Sequence, residues 1–167
     1  MAKNPEVTNV IVAGLGGQGV VRASDILADA VFRAGFDVKK SEIHGMSQRG
    51  GSVSGDVRFG AAVLSPMIPA GTADYLVVLE ATQVEANRRQ LSRDGVLITP
   101  GLVDEKSLSN RRSINVALLG ALSAYLSVPL ECWHDAIRAH LPERLHLSNL
   151  EAPGPFADAV RSLLRRA

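Results

Sequence analysis

The stretch Asn9-Val10-Ile11-Val12-Ala13-Gly14-Leu15-Gly16-Gly17-Gln18-Gly19-Val20 carries a β-like run into a glycine loop and then into a helix. Gly14-x-Gly16-x-x-Gly19 in that setting gives a tight turn, a close backbone approach and a helix N-terminus whose N–H groups favour anions. It predicts an α/β domain. Downstream, Val20, Ser24, Leu27, Val31 and Ala34 recur at helical spacing, and Gly35 stops the run as a C′ glycine. Positions 36–40 read as a short second strand. From 51 to 59 the chain alternates, with Val53, Gly55, Val57 and Phe59 on one face and Ser52, Ser54, Asp56 and Arg58 on the other. That pattern predicts a half-buried antiparallel strand near an edge. Positions 75–79 are continuously apolar, as in a strand covered on both faces, and end at Glu80.

Thr82-Gln83-Val84-Glu85 fits a capping box and predicts a helix to about Arg93. A strand follows over 95–99, closed by Pro100-Gly101. The run 114–126 is apolar nearly all round and reads as a buried helix. Trp133, Ile137 and Leu141 mark a further helix face, and 156–164 a last one. The expected fold is one α/β domain over 1–167: a Rossmann-like doubly wound sheet, mostly parallel with an antiparallel edge strand. Its core is expected over about 8–150, with a C-terminal helix at about 154–165.

Composition narrows the function. The chain has 167 residues, 46% apolar and 21% charged, enough for a real core and wrong for disorder. The net charge is +1, and basic residues fall in isolated pairs, among them Arg88-Arg89, Arg111-Arg112 and Arg165-Arg166, so no nucleic-acid surface is expected. The longest apolar run, 116–126, falls short of the ~20 residues of a membrane span. The N-terminus lacks a signal-peptide pattern. A soluble, cytoplasmic protein without membrane contact is expected. The single cysteine, Cys132, cannot form an intrachain disulfide or hold an iron–sulfur cluster alone, since clusters need about four thiolates. Beside Trp133, it reads as a small buried hydrophobe.

The glycine loop of Gly14, Gly16, Gly17, Gln18 and Gly19 is a weak signal by itself. The acid that usually confirms dinucleotide binding is replaced by Lys39-Lys40-Ser41, with Glu42 a marginal stand-in. A phosphate or diphosphate, a partner's peptide and a purely structural turn all remain open. The stronger signal is His44-Gly45-Met46-Ser47-Gln48-Arg49-Gly50-Gly51-Ser52. Its glycines permit tight backbone. Arg49 offers a planar fork for carboxylate or phosphate, and His44 a titratable or donating ring. The alternative is a glycine-rich connection with a surface histidine. His44 and Arg49 are expected beside the glycine loop on one edge of the sheet, facing outward.

Glu80 either meets a ligand at that edge or caps the following helix. Ser65-Pro66-Met67-Ile68-Pro69 reads as a rigid connection offering apolar side chains to a partner. His134, His140 and His146 show no metal-ligand spacing and read as surface or packing residues. There is no Gly-x-Ser-x-Gly, Walker lysine, HExxH or CxxC. The chain looks like a component, not a complete enzyme.

These residues resemble the gamma-type subunit of the 2-oxoacid:ferredoxin oxidoreductases, most closely its indolepyruvate branch. The resemblance rests on 14–20, on Lys39-Lys40-Ser41-Glu42 leading into 44–53, on Val57-Arg58 with Ser65-Pro66, on Ala73-Asp74 before Glu80, and on Asn115 leading to Leu119-Gly120-Ala121. It spans about 8–150, and Asn149-Leu150-Glu151-Ala152-Pro153 departs from the family's tail. It implies a complex that decarboxylates a 2-oxoacid on thiamine diphosphate, sends electrons through iron–sulfur clusters to ferredoxin, and passes the acyl group to coenzyme A. The thiamine diphosphate and clusters would belong to a large partner subunit, with no cofactor held by this chain alone. The resemblance implies that the gamma domain packs over the catalytic region and helps form the coenzyme A side. Under it, Gly14, Gly16, Gly17, Gln18, Gly19, His44, Gln48, Arg49, Gly50 and Gly51 are the candidate binding residues, and no catalytic residue carries over. The competing readings are a stand-alone nucleotide- or flavin-binding module and a structural or regulatory interaction protein.

Overall fold

The computed structural model describes residues 7–46, 50–103, 113–146 and 150. Its sheet has five strands in the order β2-β3-β1-β4-β5. Strand β1 (Val7–Leu15) buries side chains on both faces, Val10 and Val12 on one and Ile11 and Ala13 on the other, which suits its central place. It runs parallel to β4 (Ala73–Val78), and β4 runs parallel to β5 (Leu91–Ile98). β3 (Ser52–Gly60) is antiparallel to both β1 and β2 (Asp37–His44). The antiparallel strand therefore lies one place in from the edge, and β2 forms the edge. The helical crossover after β1 carries β2 past a vacant slot, and the chain then turns back as a hairpin that fills it.

Helices α1 (Val20–Arg33), α3 (Ile114–Ser123) and α4 (Leu130–His140) share one core with one face of the sheet. Ile26, Leu27, Leu118, Leu119, Trp133 and Ile137 meet Val10, Val12, Val57 and Phe59 there. The opposite face is covered differently. Ile11, Ala13, Leu76 and Val78 pack under Ile68, with Val84 against them. Among the described residues, its only helix is the single turn α2 (Val84–Asn87), flanked by 3₁₀ turns at Ala81–Gln83 and Arg88–Gln90.

That helix is shorter than the capping-box reading. Its lead-in turn is capped by Glu80, not Thr82, because the Glu80 carboxylate accepts the Thr82 N–H at 3.5 Å. Leu91 then pairs with Ala73 and packs on the second-face core, so strand β5 begins where more helix was expected. Two other boundaries differ by three residues or more. β2 continues to His44, and α3 stops at Ser123. Gly35, at φ 91, terminates α1 as expected. Cys132 is half-buried, because the neighbouring helix position, Trp133, takes the interior slot. The expected C-terminal helix lies outside the described residues.

The connection after β3 is fastened to the second face. Arg58 donates to the carbonyls of Ser65 (2.9 Å) and Met67 (3.0 Å) and to Asn9 Oδ1 (2.8 Å). The Asp37 carboxylate accepts the Val63 N–H, which with Lys39 holds its pKa below the usual value. Leu64 and Met67 remain exposed on this strap. Asp56 is buried beneath it. Burial pushes its carboxyl up, against the opposing pull of the Ile68 N–H and Arg58.

Candidate functional site at the glycine loop

The site is built where β1 ends. Gly17 (φ 90) and Gly19 (φ 83) turn the chain through the left-handed region, which Cβ-bearing residues resist. Gly19 is also the N-cap of α1, so no side chain caps that helix. Its first N–H groups are left for solvent, ligand or partner. Gly14 is buried and serves packing: a Cβ there would lie 2.9 Å from Gln18 Oε1 and 3.2 Å from Leu79 Cβ.

Gln18 folds back over the strand ends. Its Oε1 accepts the Leu15 N–H at 2.8 Å, and its Nε2 donates to Glu80 Oε2 at 2.9 Å. Of the two roles open to it, Glu80 takes the cap with one oxygen, and its other oxygen accepts from Gln18 of the loop. Gln18 and Glu80 together bridge the C-terminal ends of β1 and β4. That is the crevice a dinucleotide crosses in an open α/β sheet, so the bridge works against such use.

The two sequence motifs meet. Gly16 donates its N–H to the Gly51 carbonyl at 2.9 Å, and Gly45 donates to the Ser52 carbonyl at 2.7 Å. This places Gly16 beside Gly50 and Gly51, with Gly16 and Gly17 both exposed. An open cleft of ≈ 1190 Å³ runs from the glycine loop along the α1 N-terminus, with His44 at one side and Arg22, Asn115 and Arg144 around it. Gly14, Gly16, Gly17, Gln18, Gly19, His44, Gly50 and Gly51 are therefore gathered at one edge of the sheet, Gly14 as a buried support. Gln48 and Arg49 lie outside the described residues.

Sequence reasoning passed over several groups here. Asn115 sits at the start of α3. Its Nδ2 donates to the Gly19 carbonyl at 3.5 Å, and its Oδ1 accepts the Val116 N–H at 2.9 Å. Only the family resemblance had singled it out. Lys40, Glu42 and His44 share the α1 face of β2, a spacing of two that the sequence displays. The Lys40 ammonium lies 2.5 Å from both Asp25 Oδ1 and Glu42 Oε1, and Glu42 Oε2 lies 3.3 Å from His44 Nε2. Burial works against the Lys40 charge, but the two carboxylates outweigh it and raise its pKa. Lys40 and His44 together hold the Glu42 carboxyl below its usual value.

The other histidines pack. His140 Nε2 lies 3.4 Å from Asp29 and links α4 to α1, His146 meets the Leu141 carbonyl, and burial with nearby Arg138 lowers the His134 pKa. Among the described residues no group of three His, Cys, Asp or Glu could hold a metal ion. None of the described helices is long and apolar enough to cross a membrane.

Comparison with known proteins places this arrangement. The family model described as pyruvate ferredoxin/flavodoxin oxidoreductase matches residues 9–105, which span the sheet and the glycine loop. The indolepyruvate oxidoreductase subunit IorB of Pyrococcus horikoshii is 30% identical, over 93% of this chain and 97% of its own length. That of Methanothermobacter thermautotrophicus is 31% identical, over 86% and 93%. In three dimensions the chain is similar to the keto/oxoacid ferredoxin oxidoreductase gamma subunit of Geobacter sulfurreducens, with TM-score 0.77, 20% identity, and 95% of this chain and 97% of that one covered. The 2-oxoglutarate:ferredoxin oxidoreductase of Magnetococcus marinus matches with TM-score 0.70 and 20% identity over 97% of this chain and 30% of that longer one. At such identities the structures speak to the fold, and the sequence matches carry the membership: the chain belongs to the pyruvate ferredoxin/flavodoxin oxidoreductase family.

Proposed function

We propose that this chain is the gamma-type subunit of a 2-oxoacid:ferredoxin oxidoreductase complex, with an arylpyruvate such as indolepyruvate as the substrate. The carrying observation is the near full-length match to IorB subunits, which extends past the sheet into the helices that close the cleft. A large partner subunit would hold the thiamine diphosphate and the iron–sulfur clusters. One cysteine cannot supply the roughly four thiolates of a cluster. Thiamine diphosphate supplies the carbanion chemistry of decarboxylation when bound there. This chain's part is binding and shape. Arg22, Arg144 and the uncapped N-terminus of α1 suit the phosphates of coenzyme A, the acyl acceptor. Gln48 and Arg49 join that site in this reading. Electrons would leave to ferredoxin through the partner, and the assembly would work in the cytoplasm.

The test is co-expression with a thiamine-dependent, cysteine-rich large subunit. The two should co-purify and reduce ferredoxin with indolepyruvate and coenzyme A, more slowly with pyruvate or 2-oxoglutarate. The chain alone should be colourless and inactive. Thiamine-dependent turnover by the isolated chain would refute the reading.

A further inference from the structure

Asp25, Lys40, Glu42 and His44 form a line of alternating charge partners from helix α1 along β2 to the cleft. Side-chain exposure rises along β2 from 20% at Lys40 through 31% at Glu42 to 58% at His44, so the strand part of the line opens outward, while Asp25, 37% exposed, lines the cleft from α1. Only His44 of the three strand residues borders the cleft. We propose that Glu42, braced by Lys40 and Asp25, is a positioning residue that holds the His44 ring with Nε2–H on its carboxylate and leaves Nδ1 as the ring atom that meets the coenzyme A or partner group entering the cleft.

A carboxylate only accepts, so the ring nitrogen facing Glu42 Oε2 at 3.3 Å must carry the proton. In the neutral ring Nδ1 then holds the lone pair and can take a proton or a hydrogen bond. The Lys40 ammonium keeps Glu42 ionised and occupies its other oxygen, so Oε2 is reserved for the ring. Asp25 on α1 ties Lys40 to the helix whose N-terminus forms the cleft floor. Ring and helix end are thereby held to one frame. Without Glu42 the ring would rotate about χ1 and χ2 and exchange tautomers. Serving coenzyme A or a partner group rests on the subunit reading above; the tautomer does not.

Two readouts separate these parts. In the full chain labelled with ¹⁵N-histidine, with His44 assigned by its loss in His44→Gln, the neutral ring should be the Nε2–H tautomer at about pH 8. Glu42→Ala should give a mixture, and Glu42→Gln, which keeps an accepting oxygen, should retain part of the preference. In the reconstituted complex, Glu42→Ala should lower turnover on the order of tenfold. The double variant with His44→Ala should be no worse than His44→Ala alone. An Nδ1–H or mixed tautomer in the unaltered chain, no change in Glu42→Ala, or losses that multiply in the double variant would each overturn the proposal. If no active complex forms with the unaltered chain, the subunit reading fails and the tautomer measurement alone decides the role of Glu42.

Discussion

Gly17 and Gly19 sit two residues apart in the same loop and both adopt positive φ, yet they answer to different forces. A Cβ on Gly17 meets nothing within 4 Å, whereas one on Gly19 would lie 2.6 Å from Asn115 Nδ2. Gly17→Ala should therefore cost only the left-handed backbone penalty, about 1 kcal/mol. Gly19→Ala should cost about 2–4 kcal/mol, since the Asn115 amide must also move from its bonds to Gly19 and Val116. Urea denaturation of the two variants checks the order, and equal losses would show that Asn115 yields freely. Gln18, between them, is held by one near and one remote partner. Its spacing suggested a loop residue, but its amide bridges Leu15 and Glu80 across the strand ends that a dinucleotide would cross.

At the scale of elements, the close approach of α1 to β3 depends on one missing side chain. Gly55 lies on the face of β3 that carries Val53, Val57 and Phe59, and a Cβ there would fall 2.7 Å from Ser24 Cβ and Oγ. Ser24 is fully buried, with its hydroxyl turned to the Val21 carbonyl at 2.8 Å. Gly55→Ala should push α1 off the sheet and destabilise by about 1–3 kcal/mol. The change should also weaken the Lys40–Asp25 pair, since that pair spans the same helix and β2. A thermal melt reads the first effect. A Lys40→Met variant that loses less stability in the Gly55→Ala background than in the parent would show the second.

For the whole molecule, stability should follow pH through a few identified groups. Asp37 and Glu42 have lowered pKa values. Their contribution is present above their ordinary values of 3.8 and 4.5 and is lost as pH falls through the lowered folded ones. Lys40 is raised, so its contribution holds below 10.5 and is lost as pH rises past the folded value. Asp56 has the same sign as Lys40: its raised carboxyl favours folding at low pH and penalises it once ionised. Asp56→Asn should therefore raise the melting temperature at about pH 8 and change little at about pH 4. Melting curves across that range test it, and a stabilisation equal at both ends would exclude ionisation as the cause. The strap over Asp56 should tolerate the change, because an amide oxygen still accepts the Ile68 N–H.

The strand–glycine loop–helix unit, the C′ glycine at Gly35, the buried β4 and the family itself were all readable in the chain. Each comes from near neighbours: a period of two or 3.6, a residue without Cβ, a contiguous motif. What escaped such reading lies between segments remote in sequence. Which strand fills the slot between β1 and β2 depends on hairpin pairing. The short α2 reflects Leu91 joining β4, a packing gain that local capping signals do not carry. Gln18 finds Glu80 across 62 positions and Asn115 finds Gly19 across 96, because the parallel sheet and the return of α3 bring those ends together. Even Lys40, Glu42 and His44, whose spacing was in plain sight, became a directed line only once α1 set Asp25 beside the first of them.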